Sequence, residues 1–160
     1  MPSNMIGNTI TGNLPQRATG SVTGENLAGM NLADESARHR VLASGPVGPW
    51  RTLPGSHNVL YNERIRFDAD GAGSMQTGSA LGGVATQPFR WRCAGHGAIE
   101  CQPIDPQPEV SAAGELEQSD WFRIAFVIEP QSTDMGKFWV LRETDAEGFW
   151  ELMAPLVPAN

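Results

Sequence analysis

The stretch Tyr61-Asn62-Glu63-Arg64-Ile65-Arg66-Phe67-Asp68-Ala69-Asp70-Gly71 decides the fold class. Val59, Tyr61, Ile65 and Phe67 fall on one side of an extended chain, and Asn62, Arg64, Arg66 and Asp68 on the other. A period of two marks a half-buried strand. The run Asp68–Gly71 is turn chemistry, because aspartate and glycine tolerate the backbone angles of a tight reversal. The unit then recurs. Cys93 is followed by Ala94-Gly95-His96-Gly97, and Glu143 by Thr144-Asp145-Ala146-Glu147-Gly148.

Working outward, strands are expected near 49–53, 58–67, 72–79, 86–93, 98–104, 121–129, 136–143 and 148–154. The segment 72–79 is weak, since its glycines offer no side chain to pack. The run Trp121–Glu129 is the strongest. Phe122, Ile124, Phe126 and Ile128 alternate there with Trp121, Arg123, Ala125 and Val127, so both faces are apolar and covered. The last two segments are expected to pair as a hairpin, with Trp139 near Trp150. Eight successive strands with short links remove exposed edges by closing on themselves. The expected class is all-β, an antiparallel up-and-down barrel of about eight strands, with an open sandwich as the alternative. A barrel of that size is filled by side chains or holds one small ligand.

Composition agrees. The chain has 160 residues, enough for one domain and an appendage. Its 18 glycines and 12 prolines suit a β protein. Residues 1–44 read as a leader and 45–160 as the barrel domain. Within the leader, 1–24 is polar and without period, so disorder is expected. Leu27, Met30, Ala33, Ala37 and Val41 follow helical spacing, which predicts short helical turns over 25–42. The net charge of −7 argues against nucleic acid as a partner. No run of 18 apolar residues exists, so no membrane span is expected. Two cysteines make no disulfide framework, and the N-terminus lacks a standard secretory signal. The expected compartment is the cytoplasm, with secretion by another route as the alternative.

At Gly48-Pro49-Trp50 the chain resembles the lipocalins and the wider calycin group. The stretch Glu63–Gly73, followed by Phe89-Arg90-Trp91, is similar to small bacterial lipocalin-like domains. The resemblance runs from Gly45 to Leu152, without the Thr-Asp-Tyr element of typical lipocalins. It implies a barrel whose Trp50 packs across a closed end, with an arginine, Arg142 or Arg123, over the ring. It implies ligand binding as a family habit.

Several residues stand out. Glu63 shares the inward face with Tyr61, Ile65 and Phe67. A buried carboxylate needs a partner, and Arg142 is the expected one. Glu63 is then either an anchor for a ligand or a structural ion pair. Arg64, Arg66, Arg90 and Arg92 face outward and form an anion or partner patch if their strands are close. Cross-strand pairing with acids, including those of the acidic 105–120 loop, is the plainer reading. Cys93 and Cys101 are expected inward and free, because their register does not bring them opposite each other. With His96 they fall short of a zinc ligand set. Asp68-Ala69-Asp70-Gly71 lacks the twelfth-position acid of a calcium loop, where Ser79 stands. No cofactor is expected, and no serine or cysteine is placed beside His39, His57 or His96.

The leading expectation is a binding module rather than an enzyme. It holds a small, partly apolar ligand in the lumen, with Tyr61, Trp91, Phe122 and Phe126 as lining and Glu63 and Arg142 as polar anchors. A solidly packed interior would count against it. The alternative is a protein-interaction module, in the manner of an exported effector, working through its arginine or aromatic surfaces.

Overall fold

The computed structural model describes residues 30–55, 61–79, 82–105 and 119–159. Expectations for 1–29, 56–60 and 106–118, including the acidic loop and the first part of the helical leader, lie outside these residues.

Alternating strands with one apolar face are stable only when that face is covered. Here the sheet covers itself. Strands β1 (Gly48–Thr52), β2 (Tyr61–Phe67), β3 (Ala72–Ser79), β4 (Val84–Cys93), β5 (Ala98–Pro103), β6 (Phe122–Thr133), β7 (Gly136–Glu143) and β8 (Leu156–Pro158) follow in chain order. Each pairs antiparallel with the next, and β1 pairs with β8 to close the barrel. The turn signals fall where expected. Gly71 adopts φ 88° and donates its N–H to Asp68 O at 3.1 Å, which closes the β2–β3 turn.

The register stacks the inward residues in rows. Trp50 lies opposite Ile65, and Ile65 opposite Met75. Phe67 lies opposite Gly73, and Gly73 opposite Phe89. The Phe89 ring occupies the space above Gly73, so a Cβ there would collide with it. That explains a glycine in a strand: the neighbouring ring covers the gap. The Phe67 ring meets Phe89 and Trp91 edge-on, each at 5.4 Å between centroids.

Helix α1 (Glu35–Ser44) precedes the barrel. It starts later than the 25–42 spacing predicts, because Asp34 caps it by accepting the Ser36 N–H. Gly45, at φ 86°, ends it and donates its N–H to Val41 O at 2.9 Å. Val41 and Leu32 join the barrel core.

The expected strand at 148–154 is not one. After β7 the chain packs a crossing segment, 144–155, against the barrel core before β8, burying Phe149, Leu152 and Ala154 and leaving Glu151 and Met153 exposed. The fully buried Phe149 ring meets Phe67 at 6.2 Å and Phe126 at 6.4 Å. Trp150 meets Phe89 at 4.9 Å and Phe122 at 5.3 Å. The expected Trp139–Trp150 contact is therefore absent, and Trp139 instead lies under the Arg38 guanidinium at 4.0 Å. The cause is local. Trp150 takes φ 55°, a left-handed conformation no strand contains. Gly148 is buried so tightly that a Cβ would strike Leu152 O. The Trp150 N–H donates to Glu143 Oε2 at 2.9 Å, and the Leu152 N–H to Phe149 O at 3.0 Å. A left-handed bulky residue costs roughly 1–3 kcal/mol. Burial of two aromatic rings, each worth about that much or more, offsets it.

Removing the inserted ring tests this arrangement. Phe149→Ala is expected to lower stability by about 3–5 kcal/mol in urea unfolding, the range for a buried phenylalanine that leaves a cavity.

Candidate functional site

The interior has two parts. Its depth is filled by rings from the wall and from the crossing segment. Its mouth is open along β3, β4 and β5. Glu63 lies opposite Thr77, and Thr77 opposite Ala85. Met75 lies opposite Gln87, and Phe89 opposite Pro103. Met75, Thr77, Ala85, Thr86, Gln87 and Pro103 line a cup of about 380 Å³, with Trp150 and Glu151 on its remaining side. The Gln87 amide is held in place, donating to Ile104 O at 2.9 Å. Beside the cup, Glu63 is 7 % exposed, and its Oε2 accepts the Met153 N–H at 3.1 Å. The carboxylate therefore tethers the crossing segment to β2, directly opposite Thr77.

Of the expected lining residues, Trp91, Phe122, Phe126 and Glu63 do face the interior. Trp91 and Phe126 are buried in its filled depth. The Trp91 indole donates to Asp68 O and Ala72 O, both at 3.0 Å, so it pins the β2–β3 turn. Phe122 is half-buried against Trp150. The Tyr61 side chain lies outside the described residues; its backbone pairs with Ser79.

Arg142 does not meet Glu63. Its Nε donates to Glu129 Oε1 at 2.6 Å, and its Nη1 to Glu143 O and Ala146 O at 2.9 and 3.0 Å. The reason is parity. On β7 it is Leu141 that lies opposite Ile128 and Leu156 and packs in the barrel core. Val140, two residues from Arg142, belongs to a separate cluster with Leu53 and Val157. Arg142 shares that other face and clasps the start of the crossing segment. Its hydrogen bond, with a smaller charge attraction, holds the Glu129 carboxyl below its ordinary value, against a desolvation that pushes it up. Nor does Arg142 or Arg123 cover Trp50. The Trp50 indole donates to Pro46 O at 2.6 Å, while Arg123 Nη1 donates to Ala94 O at 3.0 Å.

The four outward arginines do not form one patch. Strand β3 separates Arg64 and Arg66 from Arg90 and Arg92. Arg66 pairs with Asp68 at 2.6 Å. Arg92 pairs with Glu100 at 2.6 Å and stacks over Trp121 at 4.4 Å. Sequence reasoning missed Arg51, which lies directly opposite Arg64. The signal was present, since Arg51 alternates with the inward Trp50.

Both cysteines are free. Cys101 is buried, and burial pushes its thiol up to about 12. Cys93 is exposed rather than inward, with Sγ 3.5 Å from Ala43 O. Among the described residues, no three His, Cys, Asp or Glu side chains are grouped to hold a metal ion. The Asp68 and Asp70 carboxylates serve their own turn, accepting from Arg66 Nε and the Ala72 N–H.

The Arg142 clasp has a pH signature. A depressed carboxyl pKa stabilises the fold above the ordinary carboxylate range, and the benefit is lost as pH falls through the depressed value. In Arg142→Gln, an NMR titration is expected to show the Glu129 carboxyl back near its ordinary value, and the corresponding acid-side loss of stability is expected to disappear.

No protein-family model matches this chain, and no curated protein or solved structure is found to match it.

Proposed function

We propose that the protein is a lipocalin-like binding module that takes a small, partly apolar ligand at the barrel mouth. The observation that carries this reading is the cup of about 380 Å³ bounded by residues of three adjacent strands, exposed at Ala85 and Thr86 and flanked on one side by Trp150. That volume lies within the range of small-molecule sites, roughly 300–1,000 Å³. The lining mixes apolar Met75, Ala85, Pro103 and Trp150 with polar Thr77, Thr86, Gln87 and Glu151. Such a surface suits a flat apolar body with one or two hydrogen-bonding groups. It contains no histidine, cysteine or lysine, which favours holding a ligand over transforming it.

The packed depth moves this site from where the sequence puts it. Trp91 and Phe126 belong to the filled core and do not line the cup. Phe122 supports Trp150 from behind. Glu63 keeps its place beside the cup and fixes the segment that carries Trp150.

Native mass spectrometry of gently purified protein, followed by solvent extraction, tests the proposal. A stoichiometric small-molecule adduct is expected for the wild type. Ala85→Trp places a large ring in the cup from an exposed position and is expected to abolish the adduct. A bare wild-type mass, or an adduct that survives Ala85→Trp, would overturn the reading.

A further inference from the structure

The outer wall of β1, β2 and β3 carries a feature unrelated to the cup. Arg51 on β1 and Arg64 on β2 are direct cross-strand neighbours. Side chains so placed have Cβ atoms about 4.5–5.5 Å apart, and like charges there repel. Gln76 continues the row on β3, opposite Arg64. In the adjoining row Arg66 lies opposite Ser74. Arg66 already has Asp68. Among the described residues, Arg51 and Arg64 belong to no ion pair. Both are exposed. Pro49, Arg64, Arg66, Ser74 and Gln76 border a shallow depression of about 350 Å³ on this wall, and Arg51 stands outside that lining, next to Arg64 across the β1–β2 pair.

A protein of net charge −7 has carboxylates to spare, yet none of the residues in these two rows is acidic. Neighbouring register positions of these rows carry donors instead: the Arg51 and Arg64 guanidinium forks, the Ser74 hydroxyl and the Gln76 carboxamide. Arginine forks match the oxygen geometry of a phosphate. A phosphate monoester carries about −1.5 to −2 charges and three acceptor oxygens, enough to balance both forks. A single carboxylate balances one.

We infer that the outer wall of β1–β3 is a binding site for a phosphate monoester dianion, held between Arg51 and Arg64 with Ser74 and Gln76 completing the donor set. The bound dianion turns a repulsive pair into a bridged one. The site is separate from the mouth cup, because these residues alternate with the inward Trp50, Ile65 and Met75 on the same strands.

Amide chemical shifts followed by NMR during titration with inorganic phosphate and phenyl phosphate, against chloride at matched ionic strength, test the site. Saturable shifts centred on β1–β3 are expected. Arg51→Gln and Arg64→Gln are each expected to weaken binding at least tenfold. Arg90→Gln, on β4 and two strands from Arg64, is expected to leave it unchanged. In chloride alone, thermal melts are expected to show both charge-removing variants at least as stable as the wild type, so lost binding is not lost folding. Shifts that do not saturate, or equal affinity in all variants, would overturn the site. So would stronger binding of a tetraglutamate peptide than of either phosphate, which would assign the wall to an acidic polypeptide.

Discussion

The insertion of Phe149 between Phe67 and Phe126 is the contact on which the rest of the structure depends. An eight-stranded barrel must do something with its interior. Here the wall alone does not fill it, although Trp50, Ile65, Phe67, Phe89 and Ile124 are almost wholly buried. The chain completes the core with its own segment between β7 and β8. The unusual features around that segment follow from this need. Gly148 allows the tight bend, Trp150 accepts a left-handed backbone, and Arg142 grips the carbonyls of Glu143 and Ala146.

The same insertion divides the interior into a filled depth and a cup at its edge. Phe149 closes the depth, and Trp150, leaning on Phe89 and Phe122, forms a side of the mouth cup. Glu63 links the two parts. Its burial at 7 % exposure is made tolerable by a backbone N–H from Met153 rather than by an arginine. On the outside, strand alternation has a second effect. It places Arg51 and Arg64 opposite each other on a wall with no acid in their row, so the barrel presents a donor-rich surface on its outside.

Most of the barrel was legible in the sequence because alternation and turn residues are local signals. The segments 72–79 and 136–143 coincide with β3 and β7, and the glycine-bearing turns fall where their residues require. The segment 148–154 was not legible. Phe149-Trp150-Glu151-Leu152 is short and apolar, and such a run reads equally as wall or as filling. Only the lumen volume left by the other strands distinguishes the two, and that is a property of the whole fold. The Glu63–Arg142 pairing failed for a related reason. It needed the β7 parity, and a one-residue shift in parity exchanges the inner and outer faces. Glu63, Trp91, Phe122 and Phe126 were placed inside by alternation alone. Arg51 was equally readable and was missed because its strand is only five residues long.

The central claim is that the segment after β7 fills the barrel with its aromatic rings. Nuclear Overhauser contacts between the Trp150 indole and the Phe89 and Phe122 rings, and between Phe149 and Phe67, test it most directly. The account requires all of these contacts in the free protein, with a single set of Trp150 signals. A Trp150 indole with water-exposed chemical shifts and no contact to either ring would contradict it, and would mean that the lumen is open.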